Sequence, residues 1–147
     1  MLYRPKKTKY KNFQKMNYKL KGFTSGLFLV SQKLGFFLKS LNSIRLRVNQ
    51  IEATRRVIRR LVKKQGLMEI SLNFDQNSTE KSSGVRMGKG KGGIKEWFSP
   101  LNAGRILLFL MNLNYIQSKF VLNKAKTKLA FKNIIKNNYN IKNKYYY

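Results

Sequence analysis

Thirty-two lysines and arginines face only five acids in this 147-residue chain, a formal charge of +27. Any core it builds must form against that self-repulsion, and a globule so charged is drawn toward polyanions. The acids are Glu52, Glu69, Asp75, Glu80 and Glu96. A phosphate backbone is the favoured partner, because each neutralised phosphate releases condensed counterions. An anionic membrane face is the competitor, and the sequence argues against it. The longest apolar run, Ile106 to Met111, is far short of the roughly 20 residues that span a bilayer. Lys and Arg also crowd the N-terminus, where a secretory signal would be apolar. No membrane partner is expected.

The length favours one domain with a modest core. With no cysteine and no histidine, the chain has no disulfide, cysteine nucleophile, zinc-finger site or histidine acid–base pair. No metal, cofactor or catalytic residue is expected. Lys outnumbers Arg 23 to 9 and Asn occurs 15 times, the bias of an AT-rich organellar or reduced bacterial genome.

Residues 1–22 form a basic arm carrying Arg4, Lys6, Lys7, Lys9 and Lys11, interleaved with Tyr3, Tyr10, Phe13 and Tyr18. So many like charges rarely fold alone; the arm is either a solvated tail or a segment that orders on RNA. Gly26 to Val30, Gly35 to Leu38 and Ile44 to Val48 read as short strands.

The strongest periodic signal runs from Asn49 to Gln65, with Gly66 as the expected C-cap. At 100° per residue Ile51, Thr54, Val57, Ile58, Leu61 and Val62 gather on one face. Arg55, Arg56, Arg59, Arg60, Lys63 and Lys64 gather on the other. Solvated surfaces usually mix both signs. Here only Glu52 is acidic, near the end where the helix dipole favours it, so the ridge reads as an RNA contact.

Met68, Ile70, Leu72 and Phe74 alternate with polar residues as in a half-buried strand, and 75–93 reads as a long loop. Lys95 to Ser99 and Arg105 to Asn112 read as strands joined by a turn. A second helix is expected from Gln117 to Leu129, with Ser118, Val121, Leu122, Ala125 and Leu129 inward and Phe120 off that stripe. Residues 132–147 read as a low-complexity Asn/Lys/Tyr tail, unordered without RNA.

The loop's chemistry lies in Arg86, Met87, Gly88, Lys89, Gly90, Lys91 and Gly92. Glycines permit positive φ and bring backbone N–H groups close to phosphate oxygens. Lysines add mobile charge, and Arg86 a planar fork that pairs with phosphate or stacks on a base. A nucleotide-binding enzyme loop is the rival. No Gly here is followed five residues later by Gly-Lys-Ser or Gly-Lys-Thr. Gly88, Gly90 and Gly93 match the dinucleotide spacing, but a strand follows them rather than a helix.

Four blocks stand in order along the chain: the opening Met1-Leu-Tyr-Arg-Pro-Lys-Lys-Thr-Lys-Tyr, then Gln50-Ile-Glu-Ala-Thr-Arg-Arg, Arg86-Met-Gly-Lys-Gly-Lys-Gly and Gly104-Arg-Ile-Leu. In that order they resemble the large-subunit ribosomal protein sixteen family. Lys124-Ala-Lys-Thr-Lys-Leu129 is similar to that family's last helix. The resemblance implies an α+β domain, and the strands and helices read above make it a small mixed or antiparallel sheet packed by two helices over residues 23–131. It implies a non-catalytic protein that binds large-subunit rRNA, contacts neighbouring ribosomal proteins, and extends the Arg86 loop toward the aminoacyl-site tRNA. Where the family caps its first helix with Thr this chain has Arg47, and Asn49 is the expected substitute cap. The family's opening falls at Met1, leaving no room for a transit peptide. With the codon bias, this makes a mitochondrial ribosome the expected location and a plastid the alternative.

Overall fold

The computed structural model describes Pro5, 7–9, 35–88 and 90–137, and these residues form seven strands and two helices. In order they are β1 (Phe36–Ser40), β2 (Ile44–Arg47), α1 (Val48–Val62), β3 (Leu67–Ile70), β4 (Gln76–Glu80), β5 (Gly93–Leu101), β6 (Ile106–Met111), α2 (Tyr115–Lys126) and β7 (Asn133–Asn137). The fold is α+β, as expected. All pairing is antiparallel, and the strands divide between two sheets, ordered β3-β6-β1-β7 and β2-β5-β4.

The core follows from β1 and β6. Leu38, Leu107, Leu108 and Leu110 are fully buried, and Leu46, Leu101, Ile51, Ile58, Val62, Val121 and Leu122 join them in one cluster. Across the sheet Phe37 pairs in register with Phe109, their ring centres 6.0 Å apart, and Ile106 completes a second cluster. Strands covered on both faces read as unbroken apolar runs, which is why Ile106–Met111 shows no alternation.

Several expectations change. α1 starts one residue before Asn49, so Asn49 is inside the helix and Arg47 is the N-cap, its N–H donating to Gln50 Oε1 at 3.1 Å. The glutamine carbonyl thus accepts from the N-cap backbone, the N3 half of a capping box, while the Arg47 side chain has no acceptor to offer the first-turn N–H groups. The C-cap is Lys63 at φ 51°, not Gly66. Gly66 instead sits where an added Cβ would lie 2.8 Å from Leu113 and 2.9 Å from Val62. Ile51, Thr54, Ile58 and Val62 are buried as the periodicity requires, whereas Val57 is half-buried and Leu61 is exposed.

The loop expected over 75–93 contains β4, so the irregular connection shortens to 81–92. The expected strand through Leu72 and Phe74 stops at Ile70, although both residues remain buried. The tail does not begin at Lys132, because Asn133–Asn137 pairs with β1 and belongs to the domain. The strand expected over 26–30 and the tail beyond 137 lie outside the described residues.

Candidate nucleic-acid interface

The three-stranded sheet carries both basic features. β2 runs directly into α1, and β4 and β5 form the hairpin that ends in the 81–92 loop.

On α1 the ridge has two parts, separated by how its charges are used. Arg55 donates from Nε to Glu52 Oε2 at 2.8 Å and from Nη2 to Glu52 Oε1 at 2.7 Å. Arg56 Nε donates to the same Oε1 at 3.1 Å. Glu52 lies in the second turn, so these arginines rather than the helix dipole stabilise it. Hydrogen bonding from Arg55, opposed by burial and helped by Arg56, lowers the carboxyl pKa from 4.5 to about 2. Arg59 and Arg60 on α1, and Lys63 and Lys64 in the turn just past its end, are exposed and make no ion pair among the described residues. These four are the ridge's available charge.

The depressed pKa has a testable sign. A carboxyl held below its unfolded value contributes stability above that value and loses it on protonation. Glu52→Gln is therefore expected to be less stable than the parent at neutral pH. The gap should close as pH falls from 4.5 toward about 2. Denaturant titrations of both proteins across that range check it, and equal stability at pH 7 would remove the pairing from the account.

The loop is anchored at its base and open at its tip. Glu80 pairs with Lys95, and Lys81 Nζ donates to the Gly88 carbonyl. Gly88 at φ 96° and Gly90 at φ 81° occupy the left-handed region, with nothing within 4 Å of an added Cβ. Gly92 serves differently, since a Cβ there would lie 2.4 Å from the Glu80 carbonyl oxygen. Arg86 is exposed and Met87 fully so, which places both at the outer surface of the loop. Lys91 is exposed as well.

Of the basic arm, Lys7 and Lys9 are described and exposed. Arg4, Lys6, Lys11 and the loop's Lys89 lie outside the described residues. Sequence reasoning missed Arg45, whose guanidinium stacks over the Phe98 ring at 5.5 Å. Residues Arg45 and Phe98 belong to paired strands, a proximity that no local pattern encodes. No helix of the described residues is long and apolar enough to cross a membrane.

Residues 5–136 match the family described as ribosomal protein L16p/L10e. Three similar proteins are each named large ribosomal subunit protein uL16. That of Neorickettsia sennetsu is 37% identical over 127 residues, covering 86% of this chain and 89% of its own length. The Porphyromonas gingivalis protein is 36% identical over 141 residues, 95% of this chain and 96% of its own. One from Buchnera aphidicola is 35% identical over 128 residues, 87% of this chain and 91% of its own. Identity sustained over that much of both chains reflects common descent, and this chain belongs to the ribosomal protein L16p/L10e family.

Proposed function

We propose that the protein is a structural, non-enzymatic constituent of the large ribosomal subunit that binds rRNA through the α1 ridge, the basic arm and the 81–92 loop. The observation that carries the reading is a basic ridge on the helix that follows β2, four of whose cations make no ion pair among the described residues, beside a glycine-hinged cationic loop on the β4–β5 hairpin of the same sheet. Arg59, Arg60, Lys63 and Lys64 neutralise phosphates, while Arg55 and Arg56, already held by Glu52, brace the helix. Arg4, Lys6, Lys7, Lys9 and Lys11 follow the RNA backbone as an arm. Arg86, Met87, Gly88, Lys89, Gly90, Lys91 and Gly92 reach toward the aminoacyl-site tRNA near the peptidyl transferase centre. There the protein does no chemistry; it braces RNA so that the tRNA acceptor end is correctly placed.

The surrounding ribosome is mitochondrial in this reading, supported by the Lys and Asn bias. Cell fractionation tests that point alone, and recovery with plastid or bacterial ribosomes would reverse it.

Two measurements test the central reading. The protein should sediment with the large subunit and remain there through a moderate salt wash. Purified protein should bind structured rRNA fragments with log affinity falling by about 0.7–0.9 per phosphate contact per log unit of salt. Four ridge cations alone predict a slope of about −3 or steeper. A nearly flat dependence would count decisively against the electrostatic account.

A further inference from the structure

The outer face of α2 carries large exposed apolar side chains. Ile116 is 81% exposed, Tyr115 56% and Phe120 55%. At 100° per residue Ile116 and Phe120 project opposite the buried Ser118, Val121, Leu122 and Ala125. Scattered apolar side chains are ordinary on a surface, but here Ile116 and Phe120 share the outer face of a twelve-residue helix, with Tyr115 at its edge about 100° from Ile116. On the Tyr115 side of the helix a groove of about 330 Å³ opens toward β7, lined by Tyr115 and Lys119 of α2, by Phe36, and by Ile134, Ile135, Lys136 and Asn137.

Charge frames this patch. Lys119 Nζ lies 5.7 Å from the Tyr115 ring centre and Lys124 Nζ 5.8 Å from that of Phe120. Lys126, Lys128, Lys132 and Lys136 follow, and no acid occurs after Glu96 in the sequence. An occupant must therefore bring both apolar surface and negative charge. A second copy of this chain brings the same lysines and is repelled. RNA supplies the charge, but it stacks on aromatic faces and gains little from an exposed isoleucine. A lipid surface needs a longer apolar stripe than this helix offers once its other face is in the core.

We propose that the α2–β7 face docks an acidic segment of a neighbouring protein, whose apolar residues cover Ile116, Phe120 and the groove while its carboxylates meet the lysine rim. The inference rests on the ribosomal reading above, because the subunit supplies the neighbour. It assigns to this face a protein contact, separate from the RNA contacts of α1 and the loop.

The test places a benzophenone-bearing amino acid at Ile116 or Phe120 in the full chain, within assembled large subunits. Both positions are exposed, so the fold is expected to survive, and circular dichroism of the free chain checks it. Irradiation should give an adduct that resists ribonuclease and is degraded by protease, with an acid-rich peptide at the crosslink. Adding Lys119→Glu and Lys124→Glu should lower adduct yield per incorporated chain by roughly fivefold or more, as reversed rim charges oppose an anionic partner. A crosslink to rRNA, to lipid or within the chain itself overturns the proposal, as does the absence of any adduct. A yield indifferent to charge reversal overturns the acidic partner. Sedimentation separates the two readings: a chain that never enters the subunit contradicts the ribosomal assignment, whereas one that enters without an adduct contradicts only this docking face.

Discussion

Ile58→Asp is expected to abolish the folded domain. Ile58 is fully buried in α1, within the cluster that joins the helix to both sheets. The substitution removes an apolar side chain whose burial stabilises by about 1.5–3 kcal/mol. It also leaves an unpaired carboxylate in that cluster, at a further cost of several kcal/mol. Together these approach the roughly 5–15 kcal/mol that holds an ordinary domain folded. Arg59→Ala is the contrasting case one residue later, where the side chain is exposed and makes no ion pair among the described residues. Its far-UV spectrum and melting temperature should match the parent. RNA affinity should fall, with the salt slope shallower by about one. Circular dichroism and salt-dependent titrations on the two variants decide this, and exchanged phenotypes would mean the helix faces are reversed.

The second large effect is functional and concerns Gly88 and Gly90. Both have positive φ, a region that a branched side chain resists at a cost on the order of 1–3 kcal/mol per residue. Because nothing lies within 4 Å of either position, Gly88→Val with Gly90→Val creates no clash, and the strain relaxes by reshaping the loop. Thermal stability should stay within a few degrees of the parent. In subunits carrying the variant, aminoacyl-tRNA binding or peptide-bond formation should fall by about tenfold or more, as expected when a positioning element moves by about 1 Å. Gly92→Ala is the structural counterpart, since its Cβ would press on the Glu80 and Lys81 backbone and lower the melting temperature. Normal tRNA binding and peptidyl transfer, with the valine variant confirmed in the subunit, would remove the loop from the functional account.

What the sequence reveals here depends on where each element gets its stability. α1 is legible because its buried face and its charged face are both written at helical spacing. The 81–92 loop is legible because alternating Gly and Lys is rare and chemically pointed. β4 is not legible, since Gln-Asn-Ser-Thr-Glu has no apolar alternation and becomes a strand through its ladder with β5. β7 is hidden in the same way, its Asn-Ile-Ile-Lys-Asn sequence made regular by β1. Within the candidate interface, the division of the ridge at Glu52 also escaped the pattern. Helical spacing puts Arg55 and Arg56 beside the other cations, but only rotamers show that one carboxylate holds both. Phe120, off the inward stripe of α2, is the one sequence sign of that helix's exposed outer face.

The position of β1 bears on how the protein is made. Phe36 pairs with Leu110 on one side and with Asn137 on the other, so β1 waits for partners translated well after it. Such distant closures are slow, and they leave Phe37 and Leu38 uncovered on the nascent chain while β6 is still untranslated. The four-stranded sheet should therefore close only after β7 has left the ribosome that makes it. During that interval the chain's strong positive charge favours solubility over self-association, so the charge that suits the finished protein to RNA also protects the unfinished one.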